Sequence, residues 1–306
     1  MMLKALLFPA VLAAMMPLQH EGEITPLPTV PAQGESDQTS TPSCGGALAQ
    51  GGLIICHGVT GTKFQLGDTV LTTDASGSVS FGLGRKASSP IVINATDMQL
   101  NTYSFSLDVA ARNDETATLR GIDCDKIDAR TAEQKAHAGR SWVKKQDGWQ
   151  TFHDGRGGLD GFLRPAEGPV SSPFGYVRRY VTEGCPTKER PHFGYDIAAV
   201  TGTPIIAPAA GVVTLAETDL YYEGGTVFLD HGQGLVSLFL HMSELEVNVG
   251  DVLEAGDPIG KIGATGRVTG AHLHWAVKWR NTSRSDRDGD FYIDPALLLD
   301  LPRQTD

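Results

Sequence analysis

Five side chains in the second half of the chain are of the kinds that bind a divalent metal and move protons. His192 and Asp196 sit four residues apart in His192-Phe193-Gly194-Tyr195-Asp196, His241 follows an apolar run, and His272-Leu273-His274 forms a two-residue step. Pro191 and Gly194 disfavour a helix around the first pair, which places it on a turn feeding a strand. On a strand, side chains at i and i+2 share one face, so His272 and His274 look into the same space. Zinc prefers imidazole nitrogens and carboxylate oxygens, and a catalytic site needs three protein ligands plus an open position. Two histidines and one aspartate meet that need and leave two histidines for proton transfer. Each piece alone is weak: with nine histidines in 306 residues, a His-x-His step arises by chance in roughly one such chain in four. The combination carries the signal. His231, in Asp230-His231-Gly232-Gln233-Gly234, reads as a turn residue, and His20, His57, His137 and His153 as surface or linker residues.

The elements that must hold these residues are mainly β. Strand-like text runs over residues 211–215, 226–230, 235–240 and 272–277. Gly250-Asp251 and Gly256-Asp257 would turn a meandering antiparallel sheet. Earlier, residues 52–55, 68–72, 78–82, 91–94 and 103–109 alternate with Gly, Asp and Pro at the 8–12-residue spacing of a small sandwich. Between these regions the pattern becomes helical over 128–145, where Thr131 and Gln134 can form a capping box. A Gly-rich polar loop follows over 147–161. The expected organisation is a small N-terminal β-sandwich-like domain (44–127), a connecting helix and loop (128–161), and a C-terminal antiparallel sheet domain with a groove (162–306).

Glycine is enriched, at 36 of 306 residues with no collagen-like period, which fits many tight turns. The net charge of −11 argues against a broad basic face for nucleic acid. No uninterrupted apolar run reaches the roughly 20 residues that cross a bilayer. The first 20 residues place Lys4 before an apolar stretch closed by Pro17, the pattern of a secretory signal peptide. Residues 21–43, rich in Pro, Ser and Thr, read as a flexible linker. In an exported chain the four cysteines suggest disulfides with three connectivities. Cys44 and Cys56 flank a segment able to fold back on itself, which favours that pair and leaves Cys124 with Cys185.

The C-terminal text resembles the LytM/lysostaphin-like zinc metallopeptidases that cut peptidoglycan cross-links. The matching residues are Ser171-Ser172-Pro173-Phe174-Gly175, then His192 to Ala199, Pro204-Ile205-Ile206-Ala207-Pro208, Gly211-Val212-Val213, Leu240-His241-Met242 and Gly263 to Trp275. They cover about residues 165–280 in the family's order. The resemblance implies a Zn2+ ion held by His192, Asp196 and His274, with His241 and His272 as catalytic histidines. Bound zinc brings a water's pKa to about 7. By the same resemblance His272 takes the water proton, while His241 steadies the oxyanion or protonates the leaving amine, two roles that could be exchanged. The implied substrate is the peptidoglycan stem peptide, met in the periplasm or cell envelope with no stable membrane insertion. The alternatives are a catalytically silent regulator that binds and activates a cell-wall amidase, and a binding module with structural zinc. All five positions are present, which favours an active enzyme. Residues 281–291 read as an extra loop: Asp286-Arg287-Asp288-Gly289-Asp290 lacks the closing Glu of a calcium loop and is expected to be a solvated turn.

Overall fold

Residue alternation builds the first half of the protein. The computed structural model describes residues 41–122, 124–284 and 289–302. The signal-peptide stretch, residues 21–40 of the linker, and Asp286, Arg287 and Asp288 lie outside the described residues. Strands β1 (Ser43–Gly46), β2 (Leu53–His57), β3 (Lys63–Leu66), β4 (Thr69–Thr72) and β5 (Ser78–Gly82) come first. They are followed by β6 (Ile91–Thr96), β7 (Thr102–Leu107) and β8 (Thr116–Arg120). One antiparallel sheet runs β1-β2-β5 and another β4-β3-β6-β7. In β6 the side chains of Ile91, Ile93 and Ala95 are buried while Val92 and Asn94 are exposed, the period of two expected of a half-buried strand.

Two helices follow, α1 (Cys124–Ile127) and α2 (Ala132–Gly148). α2 starts at Ala132 rather than Asp128 because Thr131 caps it. The Thr131 hydroxyl accepts the Gln134 N–H at 3.1 Å, and the Gln134 side chain accepts the Thr131 N–H at 3.0 Å.

The C-terminal half contains β9 (Val170–Ser172), β10 (Val177–Val181), β11 (Lys188–Pro191), β12 (Tyr195–Ala198) and β13 (Pro204–Ile206). It continues with β14 (Gly211–Leu220), β15 (Gly224–Gly232), β16 (Leu235–Leu245), β17 (Val252–Leu253) and β18 (Pro258–Ile262). The last elements are β19 (His272–Trp279), β20 (Phe291–Ile293) and α3 (Pro295–Leu299). The main antiparallel sheet is ordered β17-β14-β15-β16-β19-β12-β9, with β20 beside β19 and the β13–β18 ladder attached to β16. A smaller sheet, β11-β10-β8, brings β8 in parallel beside β10. The two Gly-Asp steps make matching turns. Asp251 accepts the Asn248 N–H at 2.7 Å and Asp257 the Glu254 N–H at 2.8 Å. Gly250 and Gly256 adopt φ of 95° and 98°, where a Cβ would be strained.

One face of β19, with Leu273, Trp275, Val277 and Trp279, is buried in a core shared with Phe64, Phe81 and Ile93 of the N-terminal strands. A Cβ on Gly82 would lie 2.7 Å from the Trp279 Cβ, so β5 rests directly against the end of β19. The other face of the sheet carries His272 and His274 and a smaller cluster of Trp149, Leu215, Phe228, Leu238 and Ala276. Disulfides join Cys44 to Cys56 across paired strands, and Cys124 of α1 to Cys185 beyond β10.

His231 differs from its reading as a turn residue: it is a buried member of β15. The turn falls one step later, at Gln233 and Gly234, both with positive φ. His231 Nδ1–H donates to the Ala210 carbonyl at 2.8 Å, and Nε2 accepts from Ser237 Oγ at 2.8 Å. Burial pushes its imidazole down to about 4, so it stays neutral. Beside it, Asp230 and Arg280 form an ion pair at 2.6 Å with each side chain 1% exposed. Arg280 also donates to the carbonyls of Trp149 and Thr151, tying the loop after α2 to the sheet. Asp230→Ala leaves that guanidinium buried without its counter-charge and is expected to destabilise the fold by about 3–5 kcal/mol. A lowered urea midpoint at unchanged slope would show this, and an unmoved midpoint would contradict it.

Candidate metal centre

Strand register brings the residues together. β12 and β19 run antiparallel with Asp196 opposite His274, so the carboxylate and the imidazole project side by side from one face. β16 pairs with β19 through Leu240 opposite His274, which brings His241 to the same end of the sheet. His192 enters from the turn between β11 and β12. Three atoms converge: Asp196 Oδ1 lies 2.9 Å from His192 Nε2 and 2.8 Å from His274 Nδ1. His192 Nε2 and His274 Nδ1 are 3.0 Å apart. Among the described residues this is the one cluster of three such side chains that could hold a metal ion.

The donor set fits a cation on its own chemistry. His192 Nδ1 faces the Pro173 carbonyl at 2.9 Å, and a carbonyl can only accept, so the ring proton is there. His192 Nε2 therefore turns a lone pair toward a carboxylate oxygen, an arrangement relieved by a shared proton or a metal ion. Burial alone would raise the Asp196 carboxyl, but a proton shared with His192 and His274 outweighs it and holds the group well below the usual carboxylate range. Burial pushes the His274 imidazole down against the opposing pull of Asp196.

The other two histidines stand beside this triad. The His241 ring centroid lies 4.9 Å from that of His272 and 6.0 Å from that of His274. His241 Nδ1 donates to the Thr265 carbonyl at 3.0 Å and His272 Nδ1 to the Gly270 carbonyl at 2.9 Å, leaving Nε2 of each ring as an acceptor. His272 Nε2 is 3.8 Å from Asp196 Oδ1, close to the cluster without joining it. His241 has a φ of 66°, a left-handed conformation that costs a non-glycine residue stability, and its N–H is fixed by the Glu223 carbonyl at 2.8 Å. Burial, followed by the neighbouring His274 and His272, pushes its imidazole down to about 3. All five residues singled out from the sequence thus meet in one place.

Three further residues support the triad, and of these Arg178 carried no signal in the sequence. Arg178 on β10 donates to Asp196 Oδ2 at 2.6 Å and to Ser172 Oγ at 2.9 Å, and Ser172 Oγ lies 3.2 Å from His192 Nδ1. One guanidinium therefore orients two members of the triad. Gly194 matters for space: a Cβ there would fall 2.4 Å from His274 Cε1 and Nε2.

Part of this chain is similar to known proteins. A family model described as Peptidase family M23 matches residues 190–286. A Neisseria meningitidis protein named DD-carboxypeptidase/endopeptidase Mpg is 38% identical over 109 residues, 36% of this chain and 24% of that protein. A Vibrio cholerae protein named peptidoglycan DD-endopeptidase ShyA is 40% identical over 87 residues, 28% of this chain and 20% of that protein. The matched stretch spans between 20% and 24% of the length of these relatives. A solved Pseudomonas aeruginosa structure assigned to peptidase M23 superposes with a TM-score of 0.58 at 26% identity, covering 82% of this chain and 95% of that one. Residues 190–286 of this chain are thus similar to peptidase family M23.

Proposed function

We propose that the protein is an exported zinc-dependent endopeptidase that hydrolyses peptide cross-links of bacterial peptidoglycan. The observation that carries this reading is the convergence of His192 Nε2, Asp196 Oδ1 and His274 Nδ1, with two further histidines held beside them as acceptors. The relative named peptidoglycan DD-endopeptidase supports the substrate class. Zinc held by His192, Asp196 and His274 supplies Lewis-acid polarisation of a carbonyl and lowers the pKa of a water.

The chain's own residues do the rest. His272, with its proton held at Nδ1 by Gly270, accepts the proton of the attacking water at Nε2. His241 is held by Thr265 in the same tautomer, so its Nε2 can serve the leaving amine only by passing on the proton that the neighbouring His272 takes from the water. That geometry favours a proton-relay role for His241 over direct donation to an oxyanion. Arg178 keeps Asp196 Oδ2 occupied, so Oδ1 is the oxygen presented to the metal.

Gly194→Ala would press on the His274 ring and is expected to weaken zinc binding by about 10–100-fold, the scale of a disturbed metal surround. Competition with a fluorescent chelator would read this, and wild-type affinity would contradict it. Incubating the full chain with purified peptidoglycan and identifying the products by mass tests the function itself. Opened cross-links are expected. Intact cross-links, together with acceleration of an amidase added to the mixture, would favour the regulator reading.

A further inference from the structure

Between β8 and α2 the chain is bonded to several elements that lead into the site. The Asp128 carboxylate is bonded by Lys188 and, at 2.8 Å, by Arg190, both on β11, the strand that leads into His192. One residue earlier, the Ile127 carbonyl accepts Arg267 Nη1 at 3.0 Å and is approached by Arg190 Nη1 at 3.5 Å. One residue later, the Ala129 N–H donates to the Tyr222 hydroxyl at 3.0 Å. Arg267 lies over the Tyr222 ring at 4.7 Å and donates its backbone N–H to the Tyr222 carbonyl.

These partners belong to separate elements around the site. Tyr222 occupies the β14–β15 turn, and Arg267 the connection from β18 to His272. Arg190 and Lys188 belong to the strand feeding β12. In the sheet, β15 and β12 flank β16 and β19, the strands that carry His241, His272 and His274. Residues 127–129 are therefore tied both to the strand that leads into His192 and to the turn and connection beside His241 and His272. Its upstream end is fixed by the Cys124–Cys185 disulfide and its downstream end by the Thr131 cap of α2. The segment lies outside residues 190–286, the part matched to the family.

We infer that residues 127–129 form a strap that narrows one end of the substrate groove, so that the site takes the cross-links of small soluble fragments more readily than those of an intact wall. The inference rests on the peptidase reading. Ion pairing explains how the strap holds: Asp128 bonds Lys188 and Arg190, and the Ile127 carbonyl meets Arg190 and Arg267, cationic groups that would otherwise repel one another.

The test uses the full zinc-loaded chain as wild type, as Asp128→Ala and as Cys124→Ser/Cys185→Ser. Each is assayed on insoluble cross-linked peptidoglycan and on soluble cross-linked fragments released from it by a muramidase. The ratio of insoluble to soluble rate is expected to rise about tenfold in both variants, the size of one substrate-discriminating contact. The soluble rate itself should stay near wild type. If loss of the disulfide impairs folding, Asp128→Ala decides alone. An unchanged ratio with the soluble fragments still cut would overturn the strap and leave the peptidase reading standing. A wild type that cuts neither substrate would overturn both.

Discussion

His274→Ala is expected to lose bound zinc and cell-wall hydrolysis together. His274 Nδ1 lies within 3.0 Å of both other proposed ligand atoms, so its removal leaves one imidazole and one carboxylate, too few to hold zinc tightly. Nothing nearby replaces it without rearrangement. The Nδ1 positions of His241 and His272 are engaged with carbonyls, and His272 Nε2 stands 3.8 Å from Asp196 Oδ1. The fold should survive, because His274 lies on the face of β19 opposite the main core residues Leu273 and Trp275. Metal content and turnover measured on the same preparation check this. A variant that kept one zinc per chain would remove His274 from the ligand set.

His272→Ala should behave differently. The ring is two residues from His274 on the same strand and faces the same groove, yet no atom of it enters the converging triad. Zinc occupancy should stay near wild type. Turnover should fall by about 10²–10⁴-fold, the usual contribution of a positioned acid–base group. The loss should appear in kcat more than in KM, because a proton acceptor acts in the transition state. If His272→Ala emptied the site while His274→Ala left it full, the assignment within the pair would be reversed. If both kept full activity, the peptidase reading would fail.

The five central residues are legible in the sequence because metal and proton chemistry demand particular side-chain types, and His-x-His on a strand must share a face. Thr131 with Gln134 and the two Gly-Asp turns are legible for the same reason: their geometry is set within a few residues. What depends on distant pairing is not. β8 gives little signal because its partner β10 lies about 60 residues later and its Thr-Ala-Thr-Leu-Arg text is half polar. Arg178 resembles any surface cation until β10 is laid beside β12's carboxylate. His231 reads as a turn residue because Gly232 and Gly234 flank it closely, and only the buried Asp230–Arg280 pair reveals that the strand continues through it. Ile127, Asp128 and Ala129 have unexceptional side chains, and their role comes from partners spread over Lys188, Arg190, Tyr222 and Arg267.

The central claim is that zinc at the His192–Asp196–His274 cluster drives opening of peptidoglycan cross-links. Titrating chelator-stripped protein with zinc, while following by mass the fragments released from purified peptidoglycan, tests it most directly. Cross-link opening should be absent in the stripped protein and should rise with added zinc to a plateau at one equivalent per chain. Unaltered fragment release from the stripped protein, or none with one zinc bound, would contradict the account.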